Sequence, residues 1–393
     1  MAFPIEKLPH RRGSALSSRP VIAVDLGGTR IRAAVVLPDG TRVARTERPT
    51  PTEQGPEAIV DACRAVARAS RAAAAVQLTD ELAGIGISSP GPVDPVRGMV
   101  VEPPNLGPEF RDIKLAAALG EAEDLPAFLD RDTNVAALGE QAFGAARGVD
   151  DFIYLTVSTG IGGSIVTGGE ILHGPDGFAG ELGHVVVEMD GPRCGCGGPG
   201  HVEAIAAGVS LAREARALVA TDQSPYLAEQ ARKLGGPEAL SAREVAEGAL
   251  AGDPACAYVM DRARRALSAA CVGYVNAFNP HRIVIGGSIA EAEGERLLQP
   301  IRDAIASEVF KIVARGVTVV PAALGGDVSL AGAQPLVMRA LAGARTVDAT
   351  RGAPGGTTGD TATTHTDTAT ATTPTDPGLS ADRLTATPGG ISR

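Results

Sequence analysis

Two stretches of the chain open with the same arrangement of apolar and polar positions. The run VIAVDLGG, Val21 to Gly28, is apolar except for one aspartate, breaks on two glycines, and leads into IRAAVVLPDGTRVAR, Ile31 to Arg45. Short apolar runs bounded by glycine predict strands joined by turns. The pattern restarts in DFIYLTVSTGIGGSIVTGGEIL, where a strand at Phe152–Val157 turns over glycines into another at Gly163–Val166. Between the two units, AIVDACRAVARASRAAAA (Ala58 to Ala75) has the length and composition of a helix, and LAGIGISS (Leu82 to Ser89) reads as a further strand. Long helical stretches follow the second unit, among them DPACAYVMDRARRALSAACVGYVNAFNP, before the apolar strand RIVIGG ends at Gly286 and Gly287. Strands alternating with helices predict an α/β protein. A chain of 393 residues outgrows a single hydrophobic core, which stops growing near roughly 250–300 residues, so two lobes are expected.

Composition changes the picture mainly at the two ends. The first twenty residues show no clear period and read as a loose arm. From Arg345 the composition shifts to Thr, Ala, Gly, Pro and Asp, too poor in large apolar residues to offset the entropy of ordering, so 345–393 is expected to be disordered. The formal charge of -10 argues against nucleic acid as a partner, which would need a basic face. No run of ~20 apolar residues suggests a membrane span, and the N-terminus lacks a signal-like apolar stretch, so a soluble, cytoplasmic enzyme is the expectation. Of five cysteines, Cys63, Cys256 and Cys271 are isolated and are expected to be buried as small hydrophobes.

Candidate chemistry sits in the glycine turns and in one loop. In DLGGTR, Asp25 could orient Mg²⁺ or its waters while Gly27, Gly28 and Thr29 face phosphate; in STGIGGS, Thr159 and Gly160 could do the same. Either turn alone is equally readable as a tight hairpin. Two of them, at matching places, favour a nucleotide held in a cleft. The loop GHVVVEMDGPRCGCGGPGHVE, Gly183 to Glu203, gathers two cysteines and two histidines, which raises a metal site.

These motifs together resemble the repressor, open reading frame and kinase (ROK) family, within the sugar kinase, Hsp70 and actin superfold, over Val21 to Leu341. DLGGTR and STGIGGSIV resemble the family's two phosphate motifs, and IVIGGSI, containing Gly286 and Gly287, its adenosine-side motif. SSPGPVD and PPNL resemble segments reaching the sugar, DRDTNVAALGE the catalytic segment, and GFAGELGH the sugar-binding segment. The resemblance implies a two-lobed actin-like ATPase fold with the active site in the cleft between lobes. The lobes would be 21–131, completed by a last helix at about 328–342, and 132–327, which carries the metal loop 184–201. It also implies transfer of the ATP γ-phosphate to a hexose hydroxyl with Mg²⁺, most simply glucose at O6, and a homodimer.

Residue by residue, the resemblance makes Asp132 the general base, although the same residue is readable as a helix N-cap before TNVAALGE. Asn105, Glu181, His184 and Glu203 match sugar-contacting positions. His184, Cys194, Cys196 and His201 match the zinc motif, with His201 where a third cysteine is usual; a Cys₂His₂ set keeps the ligand count. The zinc would be structural, one ring nitrogen of His184 serving the metal and the other a sugar hydroxyl. A metal-free glycine-rich loop is the alternative. The main departure is Arg131, where the family's sugar kinases usually carry an Asn that contacts the sugar. Arg offers donors only, so it either turns out of the pocket or changes which hydroxyl or acidic group is recognised. Other hexoses, N-acetylhexosamines and a catalytically weak sugar-binding protein therefore stay open. A sugar-responsive regulator is disfavoured, because twenty-four residues before Asp25 are too few for a DNA-binding module.

Overall fold

The computed structural model of the chain describes residues 19–76 and 81–351, with side chains to residue 343. Most of the expected N-terminal arm, and the expected disordered stretch beyond Arg351, lie outside the described residues. Strand β1 (Val21–Leu26) is buried along its whole length, as an apolar run covered on both faces must be. It pairs antiparallel with β2 (Arg30–Val36), which pairs with β3 (Arg42–Pro49). Helix α1 (Pro56–Ala74) starts on a proline and buries Ile59, Cys63 and Val66 along one stripe against this sheet. Strand β4 (Ile85–Ser89) then joins parallel to β1. A short hairpin, β5 (Val93–Asp94) and β6 (Met99–Val100), and helix α2 (Leu115–Glu123) precede β7 (Ala127–Arg131), parallel to β4. The strand order is β3-β2-β1-β4-β7. Helix α3 (Asp132–Phe143) follows without a connecting loop.

The second sheet repeats the first. Strands β8 (Phe152–Val157), β9 (Ile161–Thr167) and β10 (Glu170–Ile171) form its antiparallel side. Five helices follow: α4 (Val202–Ala206), α5 (Gly208–Ala220), α6 (Pro225–Leu234), α7 (Ala242–Leu250) and the long α8 (Pro254–Phe278). Strand β11 (Arg282–Gly286) pairs parallel to β8; after α9 (Ser288–Glu293), α10 (Glu295–Glu308) and α11 (Lys311–Ala314), β12 (Thr318–Pro321) pairs parallel to β11. The order β10-β9-β8-β11-β12 matches that of the first sheet position for position. The two strand, glycine turn, strand units read in the sequence are thus the β1–β2 and β8–β9 hairpins. Cys256 and Cys271 are buried on α8, as Cys63 is on α1. Among the described residues no helix is long and apolar enough to cross a membrane.

Two helices exchange places between the sheets. α3 leaves the first sheet and packs Ala136 and Ala137 against Phe152, Tyr154 and Val284 of the second. α12 (Val328–Arg351) leaves the second and packs Leu330, Ala333 and Val337 against Val21 and Ala23 of the first. Its end overlaps the start of the stretch expected to be disordered. The two helices touch backbone to backbone, since a Cβ on Gly332 would overlap the Val135 carbonyl oxygen and one on Gly139 would lie 2.8 Å from the Val328 carbonyl oxygen. Glu140, fully buried on α3, accepts the N–H groups of Ala323 and Leu324 just ahead of α12 at 2.9 and 3.0 Å. Because the obstacle at Gly332 is main chain, which cannot rotate away, Gly332→Ala should cost about 2–4 kcal/mol. A melting temperature within about 1 °C of the parent's would show that the crossing yields more easily than this.

Candidate active site

The parallel strands of both sheets present their C-terminal ends to one region, the usual place for a ligand in α/β sheets. In the first sheet, Asp25 stands opposite Ser88 and Ser88 opposite Asp130. The Asp25 carboxylate takes the Ser88 hydroxyl on Oδ1 at 2.8 Å and the Arg32 guanidinium on Oδ2 at 2.6 and 3.0 Å. Arg32, Asp25's partner on β2, also donates to the Gly326 carbonyl at 2.7 Å and pairs with Asp327, just before α12. The turn Gly27–Thr29 closes with the Gly27 N–H on the Arg30 carbonyl at 3.0 Å. Gly28 is open enough for Asn105 to sit against it; a Cβ there would lie 3.0 Å from the Asn105 amide. Asn105 is therefore brought to the first glycine turn.

At the β7–α3 junction three consecutive residues point to different partners. Asp130, buried, accepts the Arg131 N–H, the Asn134 amide at 2.8 Å and His173 Nε2 at 2.8 Å. That bond, its largest cause, raises the His173 pKa against the opposing effect of burial. Arg131 runs inward. Its Nε donates to Thr133 Oγ1 at 3.0 Å, its Nη2 to the Gly163 and Ala179 carbonyls at 2.8 and 2.9 Å, and its Nη1 to Glu181 Oε1. Asp132 is the first helical residue and accepts the Thr133 N–H at 2.7 Å. The start of a helix favours an anion, yet burial, joined by the negative charges of Asp25 and Glu181, pushes the Asp132 carboxyl up to about 6; the Thr133 N–H and Arg131 oppose this. Asp25 and Glu181 each hold an arginine, whereas among the described residues none forms an ion pair with Asp132.

In the second sheet, Gly286 is paired with Thr156, and Gly287 has φ +94° with a would-be Cβ 2.5 Å from the Val157 carbonyl oxygen, so a side chain is excluded at this close approach of strands. The Ser158 and Ser288 hydroxyls meet at 2.9 Å. Ser158, Thr159, Gly208, Ser288 and Ile289 bound a cavity of about 650 Å³, with Val209, Ala242, Ala246 and Met260 as its apolar walls. Its size suits a small organic ligand. Gly160 lies against Glu203, whose Oε2 accepts the Ile161 N–H at 2.9 Å. Glu203 Oε1 accepts the Cys194 thiol at 3.5 Å, so this side chain spans from the second glycine turn to the Cys/His loop.

The loop itself is a knuckle held by main-chain bonds, Val187 N–H to Gly200 carbonyl and Cys194 N–H to Gly198 carbonyl. Gly200, at φ +67°, has no room for a side chain beside the Glu188 carbonyl. Tyr274 on α8 donates to the Leu182 carbonyl at 2.5 Å and steadies the turn carrying His184. One metal-binding donor atom from each of His184, Cys194, Cys196 and His201 lies within 4.8 Å of all the others. Cys194 Sγ is 3.6 Å from His184 Nδ1 and Cys196 Sγ 3.2 Å from His201 Nδ1. Tetrahedral zinc with its usual bond lengths sets sulfur and nitrogen ligands about 3.5 Å apart, so the donors fit that ion. His184 Nε2 points the other way, 3.9 Å from Glu181 Oε2.

The structure thus gathers Asp25, Arg131, Asp132, Glu181 and His184 around one space, sets Asn105 on the first glycine turn, puts Thr159 on the cavity wall, and leaves Gly286 and Gly287 just ahead of its Ser288. Sequence reasoning missed Arg32, Asp130, His173 and the cavity walls on α5, α7 and α9. Arg32 left a signal, a cation within the apolar run that begins at Ile31. The cavity walls left none, because their residues are ordinary helix formers.

A family model described as the ROK family matches residues 21–340. The glucokinase of Thermotoga maritima is 35% identical over 82% of this chain and 98% of its own length. An N-acetylmannosamine kinase of Escherichia coli is 33% identical over 70% of this chain and 84% of its own. The crystal structure of a ROK family glucokinase from Streptomyces griseus in complex with glucose and AMPPNP is 32% identical, with a TM-score of 0.66 over 81% of this chain and 98% of that one.

Protein purified without chelator should contain about one zinc per chain, and Cys194→Ser should lose it and lower the melting temperature. Elemental analysis finding less than about a tenth of an ion per chain would leave the loop metal-free.

Proposed function

The chain belongs to the ROK family, has its actin-like ATPase fold, and is an ATP-dependent sugar kinase; on that premise we propose that it phosphorylates glucose at O6, with Asp132 as general base. The observation that carries this reading is the pairing of charges. Three carboxylates converge, two of them are neutralised by arginines, and the third, Asp132, has a pKa pushed up to about 6. A base works best when its pKa lies near the working pH, since it is then ionised yet still basic enough to take a proton. A sugar hydroxyl is a weak nucleophile. Its oxygen attacks the γ-phosphorus, the bond to the β-phosphate oxygen breaks, ADP leaves, and the hydroxyl proton passes to Asp132.

The remaining roles follow from what each side chain has left to offer. Asp25 Oδ2 already accepts two guanidinium N–H groups, so Oδ1 holds its spare lone pair. It would orient Mg²⁺ through a water, and the ion would offset charge on the transferring phosphoryl. Gly28, Thr29, Thr159 and Gly160 supply main-chain donors to phosphates, the Gly27 N–H being spent on the Arg30 carbonyl so that Gly27 shapes the turn, and the cavity just past Gly287 takes the nucleoside. Its apolar walls favour ATP over a donor made of phosphate alone. Glu181 Oε2, His184 Nε2 and Asn105 are the sugar contacts. His184, Cys194, Cys196 and His201 would hold zinc as a closed structural site, with no open position for the reaction. Glu203 holds the second turn through the Ile161 N–H on Oε2; with Cys194 a zinc-bound thiolate that has no S–H to donate, Oε1 is free to accept from a sugar hydroxyl, the role its position in the motif implies. Similarity to an N-acetylmannosamine kinase makes N-acetylhexosamines the second reading, and a panel of hexoses with Mg-ATP separates the two. A homodimer remains the expected assembly.

A carboxyl whose folded pKa lies above its unfolded value binds protons more tightly when folded, so stability falls as pH rises from 3.8 to about 6 and stays low above that. Asp132→Asn removes this penalty. At neutral pH the variant should melt at or above the parent's temperature while turnover drops by about 10²–10⁴. Retained turnover would remove Asp132 from the role of base. In the parent, kcat should decline as pH falls through about 6.

A further inference from the structure

We propose that Arg131 is a positioning residue that acts on the sugar through Glu181: from a buried slot it turns one carboxylate oxygen inward and so sets how tightly a neutral hexose is held. The inference rests on the kinase reading above.

The slot is built for a guanidinium. A Cβ on Gly180, which has φ +87°, would lie 2.7 Å from Arg131 Nη2, and one on Gly91 would lie 3.0 Å from its Cδ. Four of the five N–H groups of Arg131 are used, on Thr133 Oγ1, two carbonyl oxygens and Glu181 Oε1. Those carbonyls belong to Gly163 on β9 and Ala179 in the segment leading to Glu181, so the arginine fixes the path of that segment as well as its acid. The Arg131 side chain is 7% exposed and the Glu181 side chain 50%. The cation therefore lies behind and the acid in front.

Two consequences follow for recognition. Glu181 has one oxygen committed, and Oε2, beside His184 Nε2, is left to accept from a sugar hydroxyl. The positive charge of Arg131 is matched by Glu181 and held away from the opening. The pocket then offers no net cation to a sugar acid or a sugar phosphate, and neutral hexoses are its substrates. The charges facing Asp132 are Asp25 from β1, Arg131 from β7, Glu181 from the segment before His184, and Tyr154 from β8 if it ionises. Arg131 is the cation among them, so its removal should make Asp132 easier to protonate.

The test compares the parent with Arg131→Met, Arg131→Lys and Glu181→Gln, using Mg-ATP and glucose. Arg131→Met should raise the sugar KM roughly tenfold or more and leave the ATP KM within about twofold. The acid limb of its kcat profile should move to higher pH. Combining Arg131→Met with Glu181→Gln should cost little more in sugar KM than Glu181→Gln alone, because the two residues act as one unit. An unchanged sugar KM overturns the proposal. So does a parallel rise in both KM values with a lower melting temperature, which marks a purely structural arginine. If Arg131→Met does not fold, Arg131→Lys decides by the same two KM values. Turnover at O6 of glucose 1-phosphate, an anionic sugar that keeps its 6-hydroxyl, by the parent overturns the restriction to neutral sugars. A parent that phosphorylates no hexose defeats the kinase reading itself, before any variant is compared.

Discussion

The crossing of α3 and α12 is the contact on which the site depends. Each helix starts at the edge of one sheet and buries its apolar face against the other, so their mutual position sets the relation of the two sheets. Main chain meets main chain at Gly332 and Val135, with no side chain between them to absorb an error. Glu140 reinforces the crossing by accepting N–H groups that would otherwise be left unpaired ahead of α12. Asp132 is the first residue of α3, and Gly326 and Asp327, which bind Arg32, immediately precede α12. Asp132 and the support of Asp25 are thus attached to the two helices that cross.

Electrostatics then distinguishes carboxylates that are chemically alike. Asp25, Asp132 and Glu181 carry the same functional group within one region. Placing arginines beside the first and third leaves the second to bear the cost of burial, which pushes its pKa toward neutrality. A carboxyl with a raised pKa therefore arises without an unusual residue. What decides it is which acids are paired.

The Cys/His loop reaches the chemistry through two side chains. His184 faces the four-donor cluster with Nδ1 and Glu181 with Nε2, and Glu203 joins Cys194 to the Ile161 N–H at the second glycine turn. Order in the loop is thereby passed to Glu181 on one side and to the second glycine turn on the other.

Local pattern was enough to read the α/β class, the paired hairpins and the glycine turns, because strand alternation, turn glycines and apolar helix stripes are properties of neighbouring residues. Ordered motifs then identified Asp25, Asp132, Glu181 and the Cys/His quartet as candidates, since each lies in a short contiguous segment. Sequence alone left Arg131 with two fates, outward or into the recognition of the sugar. The fold decided it, because the Gly91 turn beside its Cδ, Gly163 on β9, and the Ala179–Glu181 segment that holds its guanidinium come from three separate parts of the chain and meet Arg131 only when β7, β9 and the loop before His184 are packed. The same holds for Arg32 with Asp327 and for the cavity walls on α5, α7 and α9. A hydrogen bond or a burial cost depends on distance in space, and chain position does not carry that distance across hundreds of residues.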